Sequence, residues 1–363
     1  MTTPVEEGYR MPGEFEPHDA CWMIFPERTD VWGFDPSPSQ RVFVDVAAAI
    51  SEFEPVNLCV SDQCYDIAGS MISGDINLVK MSTNDAWMRD CGPTFVINDK
   101  GDVAGVDWEF NAWGGELGGL YTDWSADNRV AEGVLKNTGA RRFVSELVNE
   151  GGAIHVDGEG TLITTRSVLL NPNRNPGLGE TEIENIFRDY LGVEKTIWLD
   201  VSGEDETDGH VDGLCAFVKP GVVLVAWHND PTSEEYAEYQ SVYDQLSRER
   251  DAKGRSLEII KLPLATLPAM SSEEAALIEQ RPGTYPRNAG DYVWGGYINF
   301  YIANGGIVYP RFGVEEDDAA EHILQQAFPD RKVVGVDGCR AISMCGGIIH
   351  CITQQQPSGS RFG

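Results

Sequence analysis

Positive charge is scarce in this chain: 363 residues carry 27 Lys and Arg against 58 Asp and Glu, with 6 His, for a formal net charge of −31 at pH 7. Phosphate backbones are held by clustered Lys and Arg that displace counterions, so nucleic acid is excluded as a partner. A cationic small ligand suits the sign, although acidic surfaces also keep proteins soluble and accompany adaptation to salt. Long apolar runs are missing too. No stretch approaches the roughly 20 uninterrupted apolar residues needed to cross a bilayer, and the N-terminus lacks a basic region leading into an apolar run and a small-residue cleavage site. The expectation is a cytoplasmic protein with no membrane partner. Cys-x-x-Cys pairs are also absent: the 8 cysteines, Cys21, Cys59, Cys64, Cys91, Cys215, Cys339, Cys345 and Cys351, are scattered. That favours reduced thiols over a disulfide framework or structural zinc, most of them acting as small buried apolar residues.

What is present is material for a large core, since 42% of the residues are hydrophobic. No long linker divides the chain, and the Pro- and Gly-rich stretches at 171–177 and 280–283 read as loops over a site. Residues 1–363 are therefore expected to form a single domain. Short apolar strands pair across turns containing glycine: 94–97 with 103–106, and 153–156 with 161–164. Further hairpins are expected around Pro220-Gly221, Asn304-Gly305-Gly306 and Gly346-Gly347. Helical periodicity falls between them, at 39–53, 128–137, 180–191, 234–249 and 317–328. A recurring strand-turn-strand plus helix unit predicts an α/β fold of about five structural repeats.

Three segments carry residues with catalytic chemistry. The first, Asn84-Asp85-Ala86-Trp87-Met88-Arg89-Asp90-Cys91-Gly92-Pro93, sets an aromatic, a cation and a carboxylate ahead of a strand. Its bland reading is a surface Arg89–Asp90 pair with Trp87 in the core. In the second, 204–213, an extended backbone would point His210 and Asp212 to one side, where a histidine and a carboxylate serve as a proton shuttle or a metal site. A lone structural histidine is the bland alternative. In the third, Cys351 follows a Gly-Gly turn and a β-branched run, and it is the best candidate nucleophile or else a buried inert thiol. His350 is next to it, but strand neighbours face opposite ways, so His210 is the expected proton partner.

These segments match a known pattern. The chain resembles agmatine deiminases, and more broadly the guanidine-modifying enzymes that include bacterial peptidylarginine deiminases. The blocks that carry the likeness are 10–18 with Cys21-Trp22-Met23, then Trp87-Met88-Arg89-Asp90-Cys91-Gly92-Pro93-Thr94, then Glu206-Thr207-Asp208-Gly209-His210-Val211-Asp212, then His350-Cys351-Ile352-Thr353-Gln354-Gln355. Glu150-Gly151-Gly152 and Tyr297-Ile298-Asn299-Phe300-Tyr301 also fit. The resemblance implies a five-bladed pseudo-symmetric α/β propeller, the pentein fold, with its site on the central axis and no cofactor or metal. It implies that Asp90 and Asp212 clamp a guanidinium, that Cys351 is the nucleophile and that His210 moves the protons. Trp87, Glu150, Glu206 and Asn299 would line the substrate site. Relatives are often dimers or larger, which makes a homo-oligomer the expectation.

The chemistry agrees with this assignment. A guanidinium is planar, permanently charged and best held by bidentate carboxylates, and its carbon is a poor electrophile that must be placed and polarised. The implied reaction is deimination of agmatine to N-carbamoylputrescine and ammonia through a covalent thiouronium on Cys351. Other guanidino compounds remain open as substrates: arginine, a guanidino acid or a peptidyl arginine. A substrate carboxylate would demand an arginine, and Arg174, Arg287 and Arg311 are the candidates. A non-catalytic polyamine-binding relative and a metallohydrolase built on His210 and Asp212 are the readings from other classes, the second lacking a further ligand pair at recognisable spacing. Two positions depart from the family's usual residues. Ile348 replaces Gly or Asn, where its bulk would reshape the pocket, and Gly213 replaces Asn, which would cost the clamp a hydrogen bond.

Overall fold

A computed structural model describes residues 2–359. Its strands form five sheets. Three have one plan, in which an antiparallel hairpin is followed by a helix and a third strand parallel to the second. In the first of these, Ile154–Val156 and Thr161–Thr165 are followed by helix Glu180–Leu191 and strand Lys195–Leu199. In the next, Cys215–Lys219 and Val222–Trp227 are followed by helix Glu234–Arg248 and strand Glu258–Pro263. In the third, Tyr301–Ala303 and Gly306–Pro310 are followed by helix Glu316–Ala327 and strand Lys332–Val336. A fourth sheet follows the plan with Thr94–Asn98, Val103–Glu109, helix Val130–Thr138 and strand Arg141–Val148, and adds Tyr9–Arg10 along its edge.

The fifth sheet departs in connectivity. Its antiparallel pair joins the two ends of the chain, Thr353–Pro357 against His18–Ile24, before helix Ser37–Ser51 and the parallel strands Val56–Val60 and Ile76–Lys80. Five such α/β units make the pentein fold. The expected helices all form, each within three residues of its expected ends. Glu180–Leu191 illustrates why: Ile183, Phe187 and Leu191, four residues apart, make one buried stripe, and Gly192 takes φ 73° to end the helix.

Four of the five expected hairpins are present, and the one around Gly346-Gly347 is not. Gly346 (φ 110°) follows the short helix Arg340–Ser343, and 347–352 run as turns into Thr353–Pro357, whose antiparallel partner is the distant His18–Ile24. A local glycine signal cannot report a partner more than 300 residues upstream. His210 and Asp212 are likewise not on an extended segment. His210 precedes a 3₁₀ turn, Val211–Gly213, and it is that turn rather than strand alternation that sends both side chains inward.

Candidate active site

Five segments leading into the first strand of each antiparallel pair converge. Met88–Cys91 precedes Thr94–Asn98 and carries Asp90, while Gly151–Ala153 precedes Ile154–Val156 and is flanked by Glu150. Val211–Gly213 precedes Cys215–Lys219, Asn299 lies just ahead of Tyr301–Ala303, and Cys351 just ahead of Thr353–Pro357. Each unit thus offers one irregular turn to a common centre. Irregular backbone suits this task because its side chains need not alternate between faces.

At that centre the Cys351 sulfur lies 3.5 Å from Asp212 Oδ2 and receives a hydrogen bond from Asn299 Nδ2 at 3.3 Å. Asn299 Nδ2 also donates to Asp212 Oδ2 at 3.2 Å, and the Cys351 amide donates to Asn299 Oδ1 at 3.3 Å. Asp90 is held on both oxygens, Oδ1 by the Gly152 amide at 2.9 Å and Oδ2 by the Trp113 indole at 3.0 Å. His210 spans two carboxylates, with Nδ1 3.8 Å from Asp90 Oδ1 and Nε2 3.5 Å from Glu150 Oε2. Glu150 is anchored from behind by Arg174 Nε at 2.6 Å. Gly152 sits in the middle, where a Cβ would lie 2.6 Å from His210 Nδ1, 2.8 Å from Asp90 Oδ1 and 3.0 Å from Asp212 Oδ2.

Burial and like charge set the ionisation of this cluster. Burial, added to by Asp212 and Glu150, pushes the Asp90 carboxyl up to about 6 despite His210. For His210 burial acts downward, but Asp90, Glu150 and Asp212 outweigh it and lift the imidazole to about 9. The Cys351 thiol is driven well above the ordinary range by burial and then by Asp212 and Asp90, so without a bound cation it stays protonated. Glu150 is brought down to about 2 because Arg174 and His210 overcome its burial.

A pocket opens onto Cys351 and Asp90, walled by Trp87, Trp113, Tyr121, Asp85 and Glu206 among others. His210, Asp212, Glu150 and Asn299 form the layer beneath this wall. Trp87 is not a bare core aromatic: its indole donates to Asp85 Oδ2 at 3.0 Å, and its ring is 6.4 Å from Trp113. Glu206 is gripped at both oxygens by Arg287, at 2.6 and 2.7 Å, and Arg287 also donates to the Cys345 carbonyl at 2.6 Å. Among the described residues Arg287 is the one basic side chain on the wall. Arg174 is spent on Glu150 and Asp208, and Arg311 on the acidic group Asp317, Asp318, Glu321 and Asp337.

One expectation is corrected, and one bland reading is set aside. Ile348 does not reshape the pocket. Its side chain is fully buried in the hydrophobic core that also holds Ile349 and Ile352, and it is not among the residues of the pocket wall. Arg89 and Asp90 are not a surface pair: Arg89 is buried and pairs with Glu14 at 3.2 Å. At Gly213 a Cβ would meet only Trp294, at 3.6 Å, so the position has room for the side chain it lacks. Sequence reasoning missed Trp113, Gly152, Glu14 and His350 as site residues. A composite signal existed for the last three, since Gly152, Glu14 and His350 all lie within segments that match.

A half-buried thiol, a histidine and two aspartates at the convergence of five α/β units define a guanidine-modifying enzyme of the pentein fold. The Porphyromonas-type peptidyl-arginine deiminase family model matches residues 10–357, and the chain belongs to that family. Within it, the chain is 50% identical over 361 residues to an agmatine deiminase of Pseudomonas aeruginosa strain LESB58, covering 98% of each chain. It is 46% identical over 367 residues to the agmatine deiminase of Medicago truncatula, again covering 98% of each. The solved agmatine deiminase of Enterococcus faecalis superposes with a TM-score of 0.96 at 43% identity, covering 99% of both chains.

Proposed function

We propose that the protein hydrolyses agmatine to N-carbamoylputrescine and ammonia, with Cys351 as nucleophile, His210 as acid and then base, and Asp90 and Asp212 as the guanidinium clamp. The observation that carries this reading is the charge inventory of the pocket. Asp30, Asp85, Asp90 and Glu206 are on the wall, and the one basic residue there, Arg287, is already bidentate to Glu206. A substrate carboxylate finds no unengaged cation on the wall, whereas the excess of carboxylates over basic residues there suits a ligand cationic at both ends. Trp87 and Glu206 flank the path to the thiol, and Glu150 and Asn299 act through His210 and Cys351.

The bound guanidinium brings a positive charge beside a thiol that two carboxylates otherwise keep protonated, which favours the thiolate at the moment substrate is present. The sulfur attacks the guanidinium carbon, and the protonated His210 gives its proton to the departing amino group, which leaves as ammonia. The now neutral His210 takes a proton from water, the hydroxide adds to the thiouronium carbon, and the C–S bond breaks as the new hydroxyl passes its proton to the leaving sulfur, giving the neutral urea and the Cys351 thiol. The ureido product has lost the charge that Asp90 and Asp212 were holding, which promotes its release.

The reading includes one cytoplasmic catalytic domain over residues 1–363 that needs no metal or cofactor, assembled as a homo-oligomer and without affinity for nucleic acid. No described helix is long and apolar enough to cross a membrane. The test is ammonia release from a panel of agmatine, arginine, a guanidino acid and a peptidyl arginine, paired with intact-mass analysis under substrate. Agmatine turnover with an adduct on Cys351, and a loss of about 10³-fold or more in Cys351→Ser, is expected. Turnover of another panel member but not agmatine would overturn the substrate, and full activity in Cys351→Ser the covalent route.

A further inference from the structure

His350 adjoins the nucleophile and takes no part in the steps above. Its ring lies between two carboxylates: Nδ1 is 2.9 Å from Asp212 Oδ2, and Nε2 is 3.0 and 3.1 Å from the two oxygens of Glu14. All three residues are buried. An ionised carboxylate only accepts hydrogen bonds, so both ring nitrogens must carry hydrogen for both contacts to be bonds. A neutral ring would aim a lone pair at one carboxylate, in an interior where unpaired charge is costly.

The surroundings hold the ring in that state. Arg89 Nη1 is 3.2 Å from Glu14 Oε1, which keeps Glu14 ionised, and Arg89 also donates through Nε to the His350 carbonyl at 3.3 Å and through its amide to the Cys351 carbonyl at 3.1 Å. The other facing group is His155, 3.7 Å from Glu14 Oε2 and stacked on His350 at 6.2 Å; burial brings it down to about 4, so it is neutral. Beyond Asp212 stand His210, Asp90 and Cys351. The assembly is therefore two cations, Arg89 and His350, interleaved with two anions, Glu14 and Asp212. Among the described residues the bonds to the Asp212 carboxylate all fall on Oδ2, from His350 and Asn299 and facing the Cys351 sulfur, which leaves Oδ1 for a ligand.

We infer that His350 is a standing imidazolium, braced by Glu14 and Arg89, that positions Asp212 as an ionised carboxylate with one oxygen committed to the protein and the other presented to the substrate. It is a positioning residue, acting on the guanidinium only through Asp212. The three ligand-type atoms of Glu14, His155 and His350 lie within 4.8 Å of one another, but an imidazolium has no lone pair to give a metal, so the same protonation removes this cluster as a metal site.

Two measurements test this. In ¹⁵N-histidine NMR of the full chain without substrate, both His350 ring nitrogens are expected in the N–H form from pH 6 to pH 8, the signal being assigned by its loss in His350→Gln or its change in Glu14→Gln. A neutral tautomer at pH 7 overturns the inference. In steady-state kinetics His350→Gln keeps an amide donor for Asp212 but no charge, so Asp212 is expected to rise until it, rather than Asp90, sets the acidic limb of kcat/KM, moving that limb above about 6, with KM affected more than kcat. Glu14→Gln, which frees His350 to lose its proton, is expected to shift that limb in the same direction. Acidic limbs and KM values equal to those of the unsubstituted enzyme in both variants overturn the inference. The kinetic arm rests on the proposed deiminase reading, and the NMR arm needs no turnover, so a failure of one is distinguishable from a failure of the other.

Discussion

Gly152 gives the sharpest test of the convergent site. Its φ is not positive, so alanine suits the backbone, and glycine-to-alanine changes at such positions favour folding by about 0.4–1 kcal/mol through the unfolded chain. The added methyl, however, would lie 2.6 Å from His210 Nδ1, 2.8 Å from Asp90 Oδ1 and 3.0 Å from Asp212 Oδ2, where ordinary contact begins at 3.4 Å. These groups would have to retreat by about 0.8, 0.6 and 0.4 Å, taking the proton donor and both halves of the clamp away from one point. Displacements approaching 1 Å at a reacting centre cost about 10²-fold in rate. Gly152→Ala is thus expected to lose about two orders of magnitude in kcat/KM for agmatine while its thermal midpoint stays within a few degrees. Gly151→Ala is the contrast, because its methyl would lie 2.1 Å from the Arg89 carbonyl oxygen, a backbone atom that cannot swing aside. That variant should lose stability. Gly152→Ala with unaltered kcat/KM and an unaltered midpoint would refute the placement of these groups around a single substrate position.

The cluster titrates as a unit, with an acidic value of about 6 from Asp90 and an alkaline one of about 9 from His210. In the proposed reaction Asp90 is ionised to hold the cation and His210 protonated to release ammonia, so a pH profile of kcat/KM should be a bell with limbs near those values, and a profile flat from pH 5 to 10 would contradict it. Both groups are raised above their unfolded values, so the stability each contributes is present at low pH and is lost as pH rises through about 6 for Asp90 and about 9 for His210; chemical denaturation across that range checks the sign. Trp113→Phe removes the indole bond to Asp90 Oδ2 and leaves that oxygen unpaired, a loss of about 1–3 kcal/mol. Tenfold or more in kcat/KM should follow in steady-state assays. Glu150→Gln takes from His210 the carboxylate that helps keep it protonated, so the alkaline limb should move below 9, which a pH profile of the variant reads directly.

The repeat was legible because each unit has a short-range mark. Asn98 to Gly101, Asp157 to Gly160, Pro220-Gly221 and Asn304-Gly305 sit where the chain must reverse within a few residues, and the helices between them keep a 3.6-residue apolar period. The residues proposed as nucleophile, proton carrier and clamp could be singled out because His210, Asp90 and Asp212 lie in polar motifs just ahead of strands and Cys351 follows a Gly-Gly turn and a β-branched run. What was not legible depends on distance along the chain. Nothing near Gly346-Gly347 tells that Thr353 will pair with Met23, and nothing near Glu14 tells that it will meet Arg89 and His350. Alternation would have turned His350 away from Cys351 and from the site altogether. The turn at 347–352 breaks that alternation, and the ring reaches Asp212 after all.

The pairing of Thr353–Pro357 with His18–Ile24 also has a consequence in time. Of the seventeen described strands it is the one translated after all the others, yet it completes the sheet that the earliest of the long strands begins. Until it has left the ribosome, His18–Ile24 has a bare edge and Asp212 has no sulfur beside it. A chain stopped short of residue 351 lacks the proposed nucleophile, and it presents to chaperones and proteases the unpaired edge that the completed protein hides.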